Sequence, residues 1–441
     1  LHLDTVQQLR AGTLRGTGYL KLSEGWRQFP HEILELADTL EVLDLSGNAL
    51  TELPDDLPRL RHLRVLFCSN NPFRQLPPVL GQCAQLSMIG FKACAIESVP
   101  ATSLPANLRW LILTDNRIEV LPDEIGQCRQ LQKLMLAGNR LQALPESLAD
   151  CHNLELLRIA ANHLPQLPDW LARMPRLAWL AYAGNPFSAA QEQYAAQLPI
   201  PAIIWSALLL GEKLGEGASG QIFRAQQQDG DALRPLALKL FKGEVTSDGL
   251  AATEMAACMA AGVHPQLITV LGRLTGHPQQ VPGLLLALID PAFRVLARPP
   301  SLESCTRDCY PPGLQFSLRH VLLMLQGVAS VVCHLHQRQI MHGDLYAHNI
   351  HFQPDGQVLL GDFGAASLLA GPAEPLQRLE VRAFGLLMQE LLQRCQHQSN
   401  QAAVHASLAG LQQRCCNEIV AQRPLFAEIQ ALLAQCSAAM A

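Results

Sequence analysis

The sequence predicts an α/β solenoid with a parallel-strand concave face, followed by a second domain of the α+β class. An internal period of 22 or 23 residues runs through the first half of the chain and stops near Phe187. Beyond it, a glycine-rich turn between two strand-like runs begins a pattern without repeats. The 441 residues also exceed what one hydrophobic core usually supports, which favours two domains.

The repeats follow the pattern LxxLxLxxNxLxxLP, as in "LEVLDLSGNALTELP". They open at Leu40, Leu63, Leu86, Leu108, Leu131, Leu154 and Leu177. Their ninth positions are Asn48, Asn71, Cys94, Asn116, Asn139, Asn162 and Asn185. This is the spacing of a leucine-rich repeat, and the short polar side chains predict a hydrogen-bonded ladder between neighbouring repeats.

Domain boundaries follow from where the repeat pattern begins and ends. A degenerate opening repeat around Leu20 predicts an N-terminal cap, and "AGNPFS" at 183–188 predicts the end of the array. We therefore expect about seven to eight repeats in residues 1–190, a linker over 191–204 and a second domain over 205–441.

The residues between the strand leucines are expected to face the concave side of the solenoid. Eight of them form an apolar strip: Val65, Phe67, Met88, Trp110, Ile112, Met135, Leu156 and Trp179. An exposed strip of this kind predicts a surface for a protein substrate or regulator, or for the chain's own second domain. The alternative is that these side chains cover one another and bind nothing. A glycan is disfavoured, because the strip offers few polar groups.

Composition excludes some partners. The net charge is -5 and neither sign of charge runs in blocks, so nothing favours nucleic acid or a polybasic membrane patch. The longest apolar stretch, 200–210, is shorter than the ~20 residues of a membrane span. The thirteen cysteines lack the spacing of zinc or disulfide clusters, which predicts reduced thiols and a cytoplasmic location.

A glycine-rich segment, "LGEGASGQIFRA", places three glycines in GxGxxG spacing. This spacing alone also fits a dinucleotide fold or a plain hairpin, but the strand-like "QIFRA" that follows favours a lid over phosphates. The candidate nucleotide-binding residues here and in the next strand, "LALKLF", are Gly215, Glu216, Gly217, Ala218, Ser219, Gly220, Ile222, Ala237 and Lys239.

Lys239 lies inside a hydrophobic strand, where a lysine is costly to bury without an anionic partner. Fifteen residues later, Glu254 is the only acid of the helix-like "AATEMAACMAA". Taken singly, Lys239 could be an edge residue and Glu254 an exposed one. Their order along the chain favours Glu254 as the partner of Lys239.

The segment "MHGDLYAHNI" carries His342, Asp344 and Asn349, and "VLLGDFGAAS" follows with Asp362. Phosphoryl transfer needs a carboxylate that deprotonates the attacking hydroxyl and oxygen ligands that hold magnesium. Asp344 suits the first role, and Asn349 and Asp362 suit the second.

These five elements in this order resemble a eukaryotic-type protein kinase domain, and the whole chain resembles a bacterial-style leucine-rich repeat protein kinase. The resemblance implies a bilobal fold, ATP and Mg²⁺ as cofactors, and catalytic roles for Asp344, Lys239, Glu254 and Asn349. It also implies Asn349 and Asp362 as metal ligands.

The segment departs from this family at four points. Gly343 replaces an arginine that often holds a phosphorylated activation loop, and only 18 residues separate Asp362 from Glu380, which replaces an aspartate. No APE motif lies at its expected distance, which leaves Arg423 without the glutamate that the family gives it; Glu374 lies in "PAEP". Tyr346 and His348 stand where serine/threonine or tyrosine kinases carry a lysine or arginine.

Because the residues of the transfer itself are present, we predict an active kinase, on serine or threonine rather than tyrosine. The main alternative is a nucleotide-binding scaffold that acts through the repeats. A small-molecule kinase and a membrane receptor kinase are less favoured. If the repeats act as a pseudosubstrate, deleting residues 1–190 would raise the rate.

Overall fold

The computed structural model of the protein describes residues 5–217, 219–230, 232–243, 245–371 and 373–440. The chain divides into two compact units, Leu1–Met174 and Pro175–Ala441. The sequence suggests a later boundary, after the last repeat. The structure instead groups that last repeat with the second unit.

The first unit is a repeat solenoid. After helix α1 (Thr5–Arg10), each repeat contributes one short strand: β1 (Tyr19–Lys21), β2 (Val42–Asp44), β3 (Val65–Phe67), β4 (Met88–Gly90), β5 (Trp110–Ile112), β6 (Lys133–Met135) and β7 (Leu156–Arg158). Each strand pairs in parallel with the next. The opposite side is formed by 3₁₀ turns at His31–Leu36, Leu57–Arg59, Pro78–Gln82, Ala101–Ser103, Asp123–Gln127, Glu146–Asp150 and Leu171–Arg173.

The predicted ladder of short polar side chains is present. Asn116 Nδ2 donates to the carbonyls of Phe91 and Leu113 at 2.7 and 2.9 Å, and its Oδ1 accepts from the amide of Ile96 at 2.9 Å. Cys94 takes the same place in its repeat, with its Sγ donating to the Cys68 carbonyl at 3.2 Å. These bonds satisfy backbone groups that the short strands leave unpaired.

The apolar concave strip is less exposed than the sequence suggests. Val65, Met88, Leu156 and Trp179 are only 2 to 4% exposed, so they do not belong to an open surface. The other four, Phe67, Trp110, Ile112 and Met135, are half-buried.

Close packing between strands explains part of this burial. Neighbouring strands lie only ~4.8 Å apart, so side chains on one face lie against each other. The indole nitrogen of Trp110 is 3.4 Å from Met135 Sδ, and Lys133 Nζ lies 4.3 Å from the Trp110 ring centroid. A Cβ on Gly90 would lie 2.6 Å from the Phe67 ring, which therefore occupies the space of the missing side chain.

The second unit begins with strand β8 (Trp179–Ala181) of the last repeat and helix α2 (Ala189–Ala196). A six-stranded sheet follows, in the spatial order β10-β11-β12-β14-β13-β9. Its strands are β9 (Ala202–Ile204), β10 (Leu208–Glu216), β11 (Gly220–Asp229), β12 (Ala232–Phe241), β13 (Val270–Thr275) and β14 (Gly283–Leu286). Helix α3 (Ala251–Ala261) lies between β12 and β13 in the chain. The segment expected to be a linker therefore supplies a helix and an edge strand, because β9 pairs in parallel with β13.

The remainder of the unit is mostly helical. Its helices are α4 (Leu318–Gln337), α5 (Glu374–Leu392), α6 (Ala402–Cys415) and α7 (Phe426–Ala438). The short strands are β15 (Arg294–Val295), β16 (Phe316–Ser317), β17 (Ile340–Met341), β18 (Ile350–Phe352), β19 (Val358–Leu360), β20 (Ser367–Leu368) and β21 (Cys395–Gln396). Helix α4 packs against α5 and α7, so it forms the centre of this lobe.

Helix α4 is also long and apolar enough to cross a membrane by length and composition. In its most apolar window, 61% of the residues are buried inside the fold. The central helix of a folded domain meets the same two criteria, because it is apolar on several sides.

Candidate functional site

A cavity of about 300 Å³ lies between the six-stranded sheet and the helical lobe. This volume is at the lower end of the ~300–1,000 Å³ typical of small-molecule sites. Its polar lining comes from Ser219, Lys239, Glu254, His348, Asn349, His351 and Asp362, and its apolar lining includes Ile222, Leu267, Ile268, Val270, Leu284, Leu286, Ile289 and Phe363. The cavity thus has charged groups at one part of its wall and apolar side chains elsewhere.

The glycine-rich segment forms the turn between β10 and β11, as predicted for a lid. Gly217 donates its N–H to the carbonyl of Gly220 at 2.9 Å. A side chain at Gly220 would place its Cβ 2.5 Å from the Leu240 carbonyl, so only glycine fits there. Of the predicted lid residues, Gly217, Ser219, Gly220 and Ile222 line the cavity. Ala218 lies outside the described residues.

Three predicted nucleotide-binding residues are not part of the cavity wall: Gly215, Glu216 and Ala237. Ala237 is buried in β12, and Glu216 lies on the outside of the lid. Glu216 bonds Lys213 at 2.7 Å and also pairs with Lys242. Hydrogen bonds from Lys213 and Lys242 lower the pKa of the Glu216 carboxyl to about 2. Its bonds link the end of β10 to Lys242, the residue that follows β12.

The predicted pair of Lys239 and Glu254 is formed. Lys239 Nζ donates to Glu254 Oε1, and the two side chains are 12% and 2% exposed. Burial alone would lower the pKa of Lys239, but the carboxylates of Glu254 and Asp362 raise it above its ordinary value. Lys239 is therefore held as a cation at the cavity wall, next to where anionic groups would bind.

The segment between β17 and β18, residues 342–349, is organised by its own polar side chains. The fully buried His342 donates from Nε2 to the Gly361 carbonyl at 2.9 Å and accepts from the Asp344 amide at 3.3 Å. Asn349 Nδ2 donates to Asp344 Oδ2 at 2.7 Å and to the Asp344 carbonyl at 2.9 Å. These bonds fix the Asp344 carboxylate and leave the Asn349 amide oxygen available as a ligand.

Asp362 follows strand β19 and begins the neighbouring loop. It has a positive φ of 54°, an uncommon conformation for a residue other than glycine. Its Oδ1 accepts the N–H of Gly364 at 3.0 Å. Asp362 and Asn349 line the same cavity, and their oxygens would suit a magnesium ion. Within the described ranges, no group of three or more His, Cys, Asp or Glu side chains could hold a metal by itself.

Glu380, on α5, accepts hydrogen bonds from the backbone of the segment 342–349. It is fully buried, and it accepts hydrogen bonds from the Gly343 amide at 2.7 Å, the His342 amide at 3.3 Å and His336 Nε2 at 2.7 Å. Burial would raise the pKa of this carboxyl, but the bonds and charge of His336 and the Gly343 amide keep it below its usual range.

His348 faces the Asp344 carboxylate. Its Nε2 is 3.9 Å from Asp344 Oδ2, and its Nδ1 is 2.8 Å from Asp308 Oδ1. The His348 amide also donates to Asp308 Oδ2 at 3.0 Å. Burial alone would lower the pKa of His348, but the hydrogen bond and charge of Asp308 outweigh it and raise the pKa. Sequence reasoning missed Asp308, because its 40-residue separation from His348 carries no spacing signal.

Arg423, which lacks the glutamate of an APE motif, has other partners in the structure. Its guanidinium is fully buried and donates to the carbonyls of Asn417, Arg378 and Pro175 at 2.8, 3.0 and 2.6 Å. Burial lowers its pKa to about 10. Glu374 instead pairs with Arg378 at the protein surface. Three backbone carbonyls thus take the place of the glutamate that the APE motif would supply to Arg423.

The apolar wall of the cavity was also not identified from the sequence. Val270, Leu284 and Leu286 come from β13 and β14, which carry none of the sequence motifs described above. Alternation along a strand predicts which side chains share a face, but it does not predict which face borders a cavity.

Comparison with known families matches both halves of the chain. Residues 208–381 match the family described as protein tyrosine and serine/threonine kinase. Residues 106–164 and 129–187 match a leucine-rich repeat model, and residues 38–81 match a model of two leucine-rich repeat copies.

Individual relatives match part of the chain. A stretch of 202 residues is 25% identical to Fibroblast growth factor receptor 1 of Xenopus laevis and covers 42% of this chain and 24% of that protein. A stretch of 100 residues is 32% identical to Leucine-rich repeat and calponin homology domain-containing protein 1 of Homo sapiens and covers 23% of this chain and 14% of that protein. The chain spans less than a quarter of the length of these relatives.

Proposed function

Because the chain carries leucine-rich repeats and a protein kinase domain, we propose that it transfers the γ-phosphate of ATP to a hydroxyl group of a protein substrate. The observation that carries this proposal is the convergence of the Lys239–Glu254 pair, Asn349 and Asp362 on one cavity, with Asp344 fixed beside them by Asn349. These are the groups that phosphoryl transfer needs, and they come from four separate parts of the chain.

Each residue has a chemical task in this proposal. Lys239 holds an ATP phosphate, and the apolar wall formed by Val270, Leu284 and Leu286 accepts the adenine. Asn349 and Asp362 would hold Mg²⁺, which would supply positive charge to neutralise the phosphates. Asp344 accepts the proton of the attacking hydroxyl as the new P–O bond forms and the bond to the departing ADP breaks.

The proposal is tested with γ-labelled ATP and the purified full chain, with and without Mg²⁺. We expect wild type to incorporate label only with Mg²⁺. The rate of incorporation should fall about a hundredfold or more in Asp362→Asn and in Asp344→Asn. Asp355→Asn is the matched control, because it is the same change at an exposed turn of the same lobe. ATP binding by wild type without any transfer would overturn the proposal and favour a nucleotide-binding scaffold.

We propose serine or threonine as the preferred acceptor. Tyrosine is the second candidate, and the position of His348 beside Asp344 favours it. In tyrosine kinases, the resemblance places an arginine at the His348 position. Acid hydrolysis of labelled protein, followed by separation of the three phosphoamino acids, decides between them.

We further propose that the repeats bind a protein substrate or regulator through the half-buried concave residues Phe67, Ile112 and Met135. Partly accessible apolar side chains can be buried by a partner at little cost. A photo-crosslinking amino acid at Ile112 should form adducts with that partner, whereas the same residue at the 74% exposed Val120 should not. Equal labelling at both positions would contradict this surface.

The cytoplasmic location is also a proposal. All thirteen cysteines are free thiols in the structure, as a reducing compartment requires. Alkylation of the freshly isolated, denatured protein without reductant should modify thirteen cysteines. A lower number would indicate disulfides and an oxidising compartment.

A further inference from the structure

The last repeat makes direct contact with the catalytic segment. Trp179, in β8, donates its indole N–H to the carbonyl of Leu345 at 3.1 Å. Its ring stacks on Tyr346, with ring centroids 4.1 Å apart and planes 7° from parallel. Leu345 and Tyr346 directly follow Asp344 in the chain. Trp179 is 2% exposed, so the contact is fully enclosed.

The backbone of the same repeat lies against Gly343. Gly343 has a φ of +72°, and a Cβ there would lie 2.5 Å from the Ala365 carbonyl and 2.7 Å from the Leu180 carbonyl. No larger residue fits between these two carbonyls without displacing one of them. The residues before and after Asp344 therefore both contact the last repeat.

The repeat also reaches the loop that follows Asp362. The Tyr182 amide donates to Ser367 Oγ at 3.0 Å, and the Tyr182 hydroxyl donates to the Leu368 carbonyl at 3.4 Å. Ser367 and Leu368 form β20, which pairs with β17 just before His342. One short segment, Trp179 to Tyr182, thus joins the two loops that carry Asp344 and Asp362.

We propose that Trp179 is a positioning residue for phosphoryl transfer and that the last repeat is part of the catalytic unit. This rests on the kinase function proposed above. Trp179 fixes the backbone after Asp344, so the carboxylate stays in the geometry that Asn349 defines. Since a displacement of about 1 Å at a reacting group can cost about a hundredfold in rate, these contacts bear directly on kcat.

The test compares single substitutions in the full chain. Trp179→Phe keeps an aromatic ring against Tyr346 but removes the N–H donor, and Trp179→Ala removes both. We expect kcat to fall about tenfold for Trp179→Phe and about a hundredfold for Trp179→Ala, with KM for ATP within about twofold of wild type. Because a smaller folded fraction would also lower the apparent kcat and leave KM unchanged, kcat is expressed per folded molecule, with the folded fraction measured by circular dichroism.

Trp170→Phe is the matched control. Trp170 is a buried tryptophan of the preceding repeat, 7% exposed, and this substitution removes the same atoms. We expect its kcat and KM to equal those of wild type. Hydrogen exchange gives a second measurement: peptides covering residues 341–350 should exchange faster in Trp179→Phe and at the wild-type rate in Trp170→Phe.

The outcomes separate the two proposals. If wild type transfers label and Trp179→Phe matches Trp170→Phe in kcat and in exchange, Trp179 has no positioning role. If wild type transfers no label, the kinase proposal fails. The exchange of residues 341–350 then decides alone whether Trp179 fixes this segment. If Trp179→Ala does not fold, the result for Trp179→Phe stands.

Discussion

At the scale of single residues, three charged groups in the interior of the second unit have partners. Lys239 pairs with Glu254, Glu380 accepts three hydrogen bonds, and Arg423 donates to three carbonyls. A buried charge without a partner costs several kcal/mol, so removing one member of such a pair should have a large effect.

Glu254→Gln tests the pair at the cavity wall. The amide cannot balance the charge of Lys239, so the lysine is expected to move or to lose its proton. We predict that kcat/KM for ATP falls between about tenfold and a hundredfold, or ~1.4 to 2.8 kcal/mol of transition-state stabilisation. Steady-state kinetics measures this, with the exposed Glu303→Gln as control. An unchanged kcat/KM would mean that Lys239 does not depend on Glu254.

Gly343→Ala tests the space between the Leu180 and Ala365 carbonyls. The added methyl group meets both carbonyls, and we predict a loss of about 2 to 4 kcal/mol in the free energy of unfolding from overpacking and the positive φ. Gly230→Ala is the control, since Gly230 also has a positive φ but open space around it. Urea denaturation of both variants isolates the cost of the contacts. Equal losses would show that the carbonyls move apart freely.

At the scale of elements, helix α5 carries two acids with restricted access to solvent, the fully buried Glu380 and the half-buried Glu390. Glu380 supports the catalytic segment, and Glu390 accepts the hydroxyl of Tyr310 at 2.9 Å. Burial, together with the charge of Asp308, raises the pKa of Glu390 to about 7, although Arg307 and Arg394 act in the opposite direction. The two acids thus have pKa values shifted in opposite directions by their neighbours.

Glu390→Gln is predicted to change how stability depends on pH. A carboxyl whose pKa is raised on folding stabilises the folded state when protonated, so wild type loses this contribution as pH rises from about 4.3 through 7. Glutamine does not titrate. The free energy of unfolding of the variant, relative to that of wild type, should therefore increase by on the order of 1 to 3 kcal/mol between pH 5 and pH 8. Urea denaturation at both pH values measures this, and a constant difference would contradict it.

At the scale of the whole molecule, the last repeat belongs to the second compact unit, which begins at Pro175. Deleting residues 1–190 removes Trp179 and Tyr182 with the rest of the repeats. A pseudosubstrate role of the repeats predicts a higher rate after this deletion. The contacts of Trp179 and Tyr182 predict a lower one.

We expect the deletion of residues 1–190 to lower autophosphorylation about tenfold or more per folded molecule. The measurement is the initial rate of label incorporation, normalised to the fraction of folded protein from circular dichroism. A rate above that of the full chain would support autoinhibition by the repeats and argue against their positioning role.

Much of the fold could be predicted from the sequence. The repeat period and the ninth-position asparagines predicted the parallel strands and their ladder, and the spacing of His342, Asp344 and Asn349 predicted a shared site. These features depend on neighbours in the chain or on a repeated pattern of burial. The exposure of Val65, Met88 and Leu156 was wrongly predicted, because alternation in a strand does not show what covers its outer face.

The sequence by itself determined that repeats precede a kinase-like domain, and it identified Lys239, Glu254 and Asp362 as charged groups of one site. Only the tertiary structure decided that Asp308 holds His348, that carbonyls satisfy Arg423, and that Trp179 packs on the residues after Asp344. The physical reason is distance along the chain. Periodicity reflects local burial, whereas contacts between residues 40 to 248 positions apart depend on how whole elements pack together.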